Sequence, residues 1–126
     1  MSQGTYEVEV PAIPRPRVLV ADSDDIVLAL IFHILTRQGY AVDSATTAEA
    51  AQAQVVANAY DAILLDAKLL RGDVDSLWQR ADNGRRLLIL ASEEVAPDVP
   101  VRAILRKPIE FGLLIETVAR CVDGAD

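Results

Sequence analysis

The chain has little of what staples or decorates a small fold. It holds one cysteine, Cys121, which excludes an internal disulfide and any multi-cysteine zinc site. A reducing setting, the cytoplasm, is the natural expectation. One histidine, His33, leaves no Ser-His-Asp order and no Cys/His metal spacing. Basic residues number 12 against 19 acidic ones, a formal net charge of −7, so nonspecific nucleic-acid binding, which needs a basic face, is not expected. The longest apolar run, Ile26–Leu35, is broken by His33 and is too short to span a bilayer, so no membrane segment is expected. The polar, acidic N-terminus has no basic–apolar signal pattern. There is no Gly-rich phosphate loop, internal repeat or low-complexity stretch.

What is present suits one compact domain. Hydrophobic residues make up 52% of 126, enough for a real core. Residues 1–16 carry Pro11, Pro14 and Pro16 and read as a flexible arm, because proline removes donors and fixes φ. Residues 17–126 form the expected domain. Short apolar runs at Val18–Ala21, Ala62–Leu65, Leu87–Ala91 and Val101–Leu105 fit buried strands, and Tyr40–Ser44 an alternating one. Between them lie helical patterns at Ile26–Gln38, stopped by Gly39, and at Ala48–Asn58, capped by Thr46 or Thr47. A short helix is expected from Asp75 or Ser76 through Arg80, after a loop at Leu69–Asp75, and a closing helix at Glu110–Val122. Strands alternating with helices imply a parallel sheet with right-handed crossovers. The first helix is so apolar that it should be buried more than once, within the fold or in a homodimer.

Three strand ends carry the candidate chemistry. The first strand ends at Asp22, the third at Asp66 and the fifth at Lys107. In a parallel sheet these ends share one edge, where ligands of open α/β folds collect. Each residue alone is better read as a solvated strand end. Their coincidence on three strands points to a site, because clustered carboxylates repel unless a cation holds them. A hard ion such as Mg²⁺ takes one or two carboxylates, a carbonyl and waters. A lysine opposite would neutralise a phosphoryl group, and an aspartate so placed is a plausible nucleophile for phosphoryl transfer. His33 reads as a packed or edge residue, Trp78 as a packing residue, Cys121 as a small core residue, and Arg85-Arg86 and Arg102/Arg106 as solvated pairs.

In VLVADSDD, YDAILLDAKL, LLILAS and ILRKPIEFGLLIETV the sequence resembles the receiver domain of two-component response regulators, over about residues 17–123. The resemblance implies a flavodoxin-like (βα)₅ fold, a five-stranded parallel sheet with helices on both faces. It implies phosphorylation of Asp66 by a histidine kinase or phosphotransfer protein. Mg²⁺ would be held by Asp66, by the acidic turn with Asp22, and by the backbone carbonyl of Lys68. Lys107 would contact the phosphoryl group, with a cis peptide before Pro108.

Four departures accompany the resemblance. Ser23 stands where the family has its second adjacent acid, which implies weaker Mg²⁺ binding; Asp24 comes one position late and substitutes only if the turn reshapes. Ala91 holds the usual hydroxyl position, so Ser92 takes that role. Ile104 replaces the switch aromatic. Residues 93–100 are too few for the usual fourth helix, which is expected to be short or missing. The reading is a single-domain phosphoacceptor, not an enzyme beyond self-catalysed phosphoryl transfer, signalling to a downstream protein. The alternative is a degenerate receiver used as a phosphorylation-independent binding or dimerisation module. A metal-dependent phosphohydrolase of another α/β family is disfavoured, because Lys68 stands where such enzymes commonly place a second acid.

Overall fold

The computed structural model describes residues 15–70, 74–97 and 99–124. Most of the expected arm, and Gly72 of the expected loop, lie outside the described residues. The arm's last residue belongs to the sheet: the Pro16 carbonyl accepts from the Ala41 N–H at 2.9 Å.

Five strands, β1 (Arg17–Ala21), β2 (Ala41–Ala45), β3 (Ala62–Asp66), β4 (Leu87–Ala91) and β5 (Ala103–Arg106), form one sheet in the order β2-β1-β3-β4-β5. All four pairings are parallel. Helices α1 (Asp25–Arg37), α2 (Ala48–Ala57) and α3 (Val74–Arg80) connect the first four strands, with a 3₁₀ turn at Ala67–Leu69, and α4 (Phe111–Asp123) follows β5. This is the expected flavodoxin-like α/β arrangement.

The strands read as continuous apolar runs because both faces are covered. Val18, Val20, Leu64 and Leu90 pack with Leu28, Ile31 and Leu35 of α1 and with Leu114 and Val118 of α4. Leu19, Ile63, Leu65 and Ile89 point the other way, toward Val55 of α2 and Leu77 of α3. Cys121 belongs to the first layer; burial pushes its thiol up, which keeps it a small apolar filler.

One boundary differs from expectation. β5 starts at Ala103 rather than at Val101, because Pro100 offers no N–H and its carbonyl is taken by Trp78 Nε1 at 2.7 Å. Between β4 and β5 no helix forms among the described residues, in keeping with the expected short or missing fourth helix. Within this chain α1 is buried on one side: Leu28, Ile31 and Leu35 face the sheet, while Ile26, Leu30 and Phe32 are 74%, 46% and 39% exposed. A helix lying on one sheet can bury only one stripe.

At the amino edge of the sheet, the Tyr60 hydroxyl donates to Asp43 Oδ2 at 2.7 Å, and Arg17 Nε donates to the same oxygen at 3.0 Å. Burial and the Asp43 carboxylate push the Tyr60 phenol up to about 12. Between its ordinary value of about 10 and this one, the folded chain keeps a proton that the unfolded chain releases. The stabilisation is therefore complete below pH 10 and disappears as pH rises through 12. Tyr60→Phe should cost on the order of 1 kcal/mol at pH 8 and flatten the loss of stability between about pH 10 and 12. Urea midpoints at pH 8 and pH 11 check both effects; an unchanged alkaline slope would assign the titration elsewhere.

Candidate functional site at the carboxyl edge

Strand register builds the site. Ala21 is paired with Leu65, which puts Asp22 level with Asp66. Asp66 is paired with Leu90, and Ala91 with Arg106, so Lys107 follows at the same edge. The Lys107 N–H is fixed by the Ala91 carbonyl at 2.8 Å, and the Lys107–Pro108 peptide is cis, as expected. β5 lies three strand spacings of about 4.8 Å from β1, so only a long side chain leaning over β4 can reach Asp22.

Lys107 makes that reach. Its Nζ lies 2.7 Å from Asp22 Oδ2 and 3.7 Å from Asp66 Oδ2. Asp22 is 0% exposed and Asp66 2% exposed; among the described residues they are the buried charged ones. One ammonium thus stands between two carboxylates that would otherwise face each other in low dielectric. The other Asp22 oxygen accepts from Asp24 N at 2.9 Å, and Asp66 Oδ1 accepts from Lys68 N at 3.4 Å. The three residues singled out from strand ends therefore converge.

The flanking candidates are placed differently. Ser23 is exposed and lines a neighbouring cavity of about 600 Å³ with Thr46, Thr47 and Lys68. Ser92, at the end of β4, is exposed. Asp24 serves as the N-cap of α1: its Oδ1 accepts from Ile26 N at 2.9 Å and from Val27 N at 3.2 Å. The structure thus gives Asp24, considered from the sequence as a substitute for the second acid, a capping role. Asp24→Ala should cost about 1 kcal/mol of stability, read as a lower urea midpoint; an unchanged midpoint would mean that the cap is dispensable.

The donor set suits Mg²⁺ as a largely hydrated ion. Asp66 and Asp22 supply buried carboxylates and the 3₁₀ turn supplies backbone, whereas the hydroxyl of Ser23 stands where a third acid would add charge. Among the described residues no group of three or more His, Cys, Asp or Glu side chains is gathered to hold a metal. No helix among them is long and apolar enough to cross a membrane.

Glu110 was missed in the sequence. It caps α4, accepting from Gly112 N at 2.9 Å and Leu113 N at 2.7 Å. The signal lay in a glutamate straight after Pro108-Ile109 and just before the apolar helix, where Glu is an uncommon cap.

No protein-family model and no curated protein matches the chain by sequence. Solved structures match its fold. A CheY-like response regulator receiver domain protein from Methanospirillum hungatei JF-1 superimposes with a TM-score of 0.76 at 22% identity, covering 87% of this chain and 95% of that one. A sensor protein from Polaromonas sp. JS666 gives a TM-score of 0.70 at 25% identity, covering 88% and 98%. The receiver domain of a sensor histidine kinase from Pseudomonas aeruginosa PAO1, described with a magnesium ion coordinated in its active-site cleft, gives 0.74 at 19% identity, covering 86% and 98%. The fold of this chain is that of CheY-like response regulator receiver domains.

Proposed function

We propose that the chain is a receiver of two-component signalling, accepting a phosphoryl group on Asp66 from a histidine kinase or phosphotransfer protein. The observation that carries this reading is the Lys107 ammonium held against the two buried carboxylates at the carboxyl edge. An Asp66 oxygen attacks the phosphorus of a phosphohistidine, an O–P bond forms, the N–P bond breaks, and the electron pair leaves with the imidazole nitrogen. Lys107 offsets the charge gathering on the phosphoryl oxygens. Ser92 is the hydroxyl nearest in sequence to donate to one of them. Mg²⁺, when bound through Asp66, Asp22 and the Lys68 carbonyl, would supply further charge neutralisation. The neighbouring receiver described with magnesium supports that assignment. Output through a contact with a downstream protein and a cytoplasmic setting belong to the same reading.

The exposed Ile26, Leu30 and Phe32 of α1 favour a second reading, a phosphorylation-independent binding or dimerisation module. Ser23 and Ile104, which replace the acid and the aromatic of the family pattern, point the same way.

One experiment separates them. The protein is incubated with phosphoramidate and millimolar Mg²⁺, and intact mass is recorded with Trp78 fluorescence. A single Mg²⁺-dependent phosphoryl adduct, absent in Asp66→Asn and labile to hydroxylamine, supports the phosphoacceptor. No adduct, with α1-dependent self-association, supports the module.

A further inference from the structure

At the amino edge, opposite the carboxylate pair, lies a groove of about 810 Å³ between the α3–β4 turn, the start of β5 and the end of α4. Three guanidinium-bearing residues line it: Arg85 and Arg86 from the turn and Arg102 from the β5 approach. With Asp82 and Asp123 also in the lining, basic side chains still outnumber acidic ones there, the reverse of the balance in a chain of net charge −7. We propose that the groove binds a phosphate-bearing small molecule with a flat apolar body, of the size of a nucleoside monophosphate.

The donors are there to be used. A guanidinium has five N–H donors. Arg86 Nη1 spends one on the Tyr60 carbonyl at 3.2 Å, and Arg102 Nη2 spends one on the Arg120 carbonyl at 3.5 Å. Among the described residues, none of the three forms an ion pair, although Asp82 and Asp123 stand on the same rim. Arg85 is exposed, and among the described residues its guanidinium has no hydrogen-bond or ion-pair partner. Guanidiniums with spare donors along one groove can match phosphate oxygens bidentately.

The rest of the groove sets the ligand class. Two of the terminal carbonyls of α4, those of Arg120 and Cys121, accept from the Gly124 N–H, which lessens their repulsion of an anion. Val101, Val122 and Cys121 give an apolar floor, suited to a planar body. Asp82 and Asp123 are free to accept from hydroxyl or amino groups and oppose a polyphosphate. The volume lies within the range of small-molecule sites.

The test titrates the full chain, labelled with ¹⁵N, with AMP and, separately, with inorganic phosphate in 100 mM NaCl. The expected result is a saturable AMP shift of the Arg86, Arg102 and Cys121 amides with a dissociation constant of about 1 mM or below. AMP should bind at least threefold tighter than inorganic phosphate. Arg85→Glu/Arg102→Gln should weaken AMP tenfold or more at an unchanged melting temperature, and Arg85→Glu alone, at a partner-free surface residue, guards against misfolding of the pair. Asp66→Asn should bind AMP as the parent does, which separates this site from the phosphoacceptor. No saturation by about 10 mM, affinity indifferent to both arginine variants, or AMP no tighter than inorganic phosphate would overturn the proposal.

Discussion

Lys107→Met is expected to lower the unfolding free energy by about 3–5 kcal/mol at pH 7, the usual consequence of deleting one partner of a buried ion pair. The methionine keeps most of the stem's packing, so the loss reports charge rather than volume. It leaves Asp22, with 0% of its side chain exposed, and Asp66, with 3%, facing each other without the ammonium 2.7 and 3.7 Å away. The lysine side chain itself is only 14% exposed, so solvent screens the pair little. The double variant Lys107→Met/Asp22→Asn removes one of the two stranded charges and should regain a large part of the loss. Urea denaturation of the parent, both single variants and the double variant closes a cycle whose coupling is the measured quantity. A loss below about 1 kcal/mol, the scale of an exposed pair, would mean that the ammonium does not hold the carboxylates together. The same variant should also slow phosphoryl uptake on Asp66, since it removes the group that offsets developing charge.

Gly84→Ala is expected to cost about 3 kcal/mol or more. The residue sits at φ +87°, where an L side chain pays about 1–2 kcal/mol. A Cβ there would drive into the Pro100 carbonyl oxygen and come within 2.5 Å of Trp78 Nε1. Neither can withdraw cheaply, because the indole donates to that same carbonyl at 2.7 Å. The α3–β4 turn and the β4–β5 segment are pinned together over a space that only a hydrogen atom fits. Gly39→Ala is the control: its φ is +96°, yet nothing lies within 4 Å of the added carbon, so only the backbone cost applies. The difference in urea midpoint between the two variants isolates the close approach. Equal midpoints would refute it. Gly84→Ala should in addition shift the Trp78 emission, and Gly39→Ala should not.

Much of this was legible in order along the chain. Apolar runs at residues 18–21, 62–65 and 87–91 fit strands covered on both faces, and Gly39 and a cap at Thr46 or Thr47 punctuate the helices by local chemistry. Asp22, Asp66 and Lys107 follow because a parallel sheet gathers its carboxyl ends on one edge. The boundaries of β5 were less legible. Val101 and Arg102 have strand-like character, but the pairing with β4 begins at Ala103, while Pro100 just before them is tied to Trp78, 22 residues away in sequence. Nor did composition reveal that α1 exposes Ile26 and Leu30, since an apolar helix does not announce how many neighbours it will have.

The linear order of residues determined the architecture and the identity of the charged triad, because periodicity and strand-end chemistry are local and survive without coordinates. Which oxygen takes the ammonium, which acid of the turn caps a helix instead of facing an ion, and which arginines keep unspent donors at the opposite edge were decided only by packing. Those are differences of a few ångströms between side chains from distant segments, and such distances exist only once the chain has closed on itself.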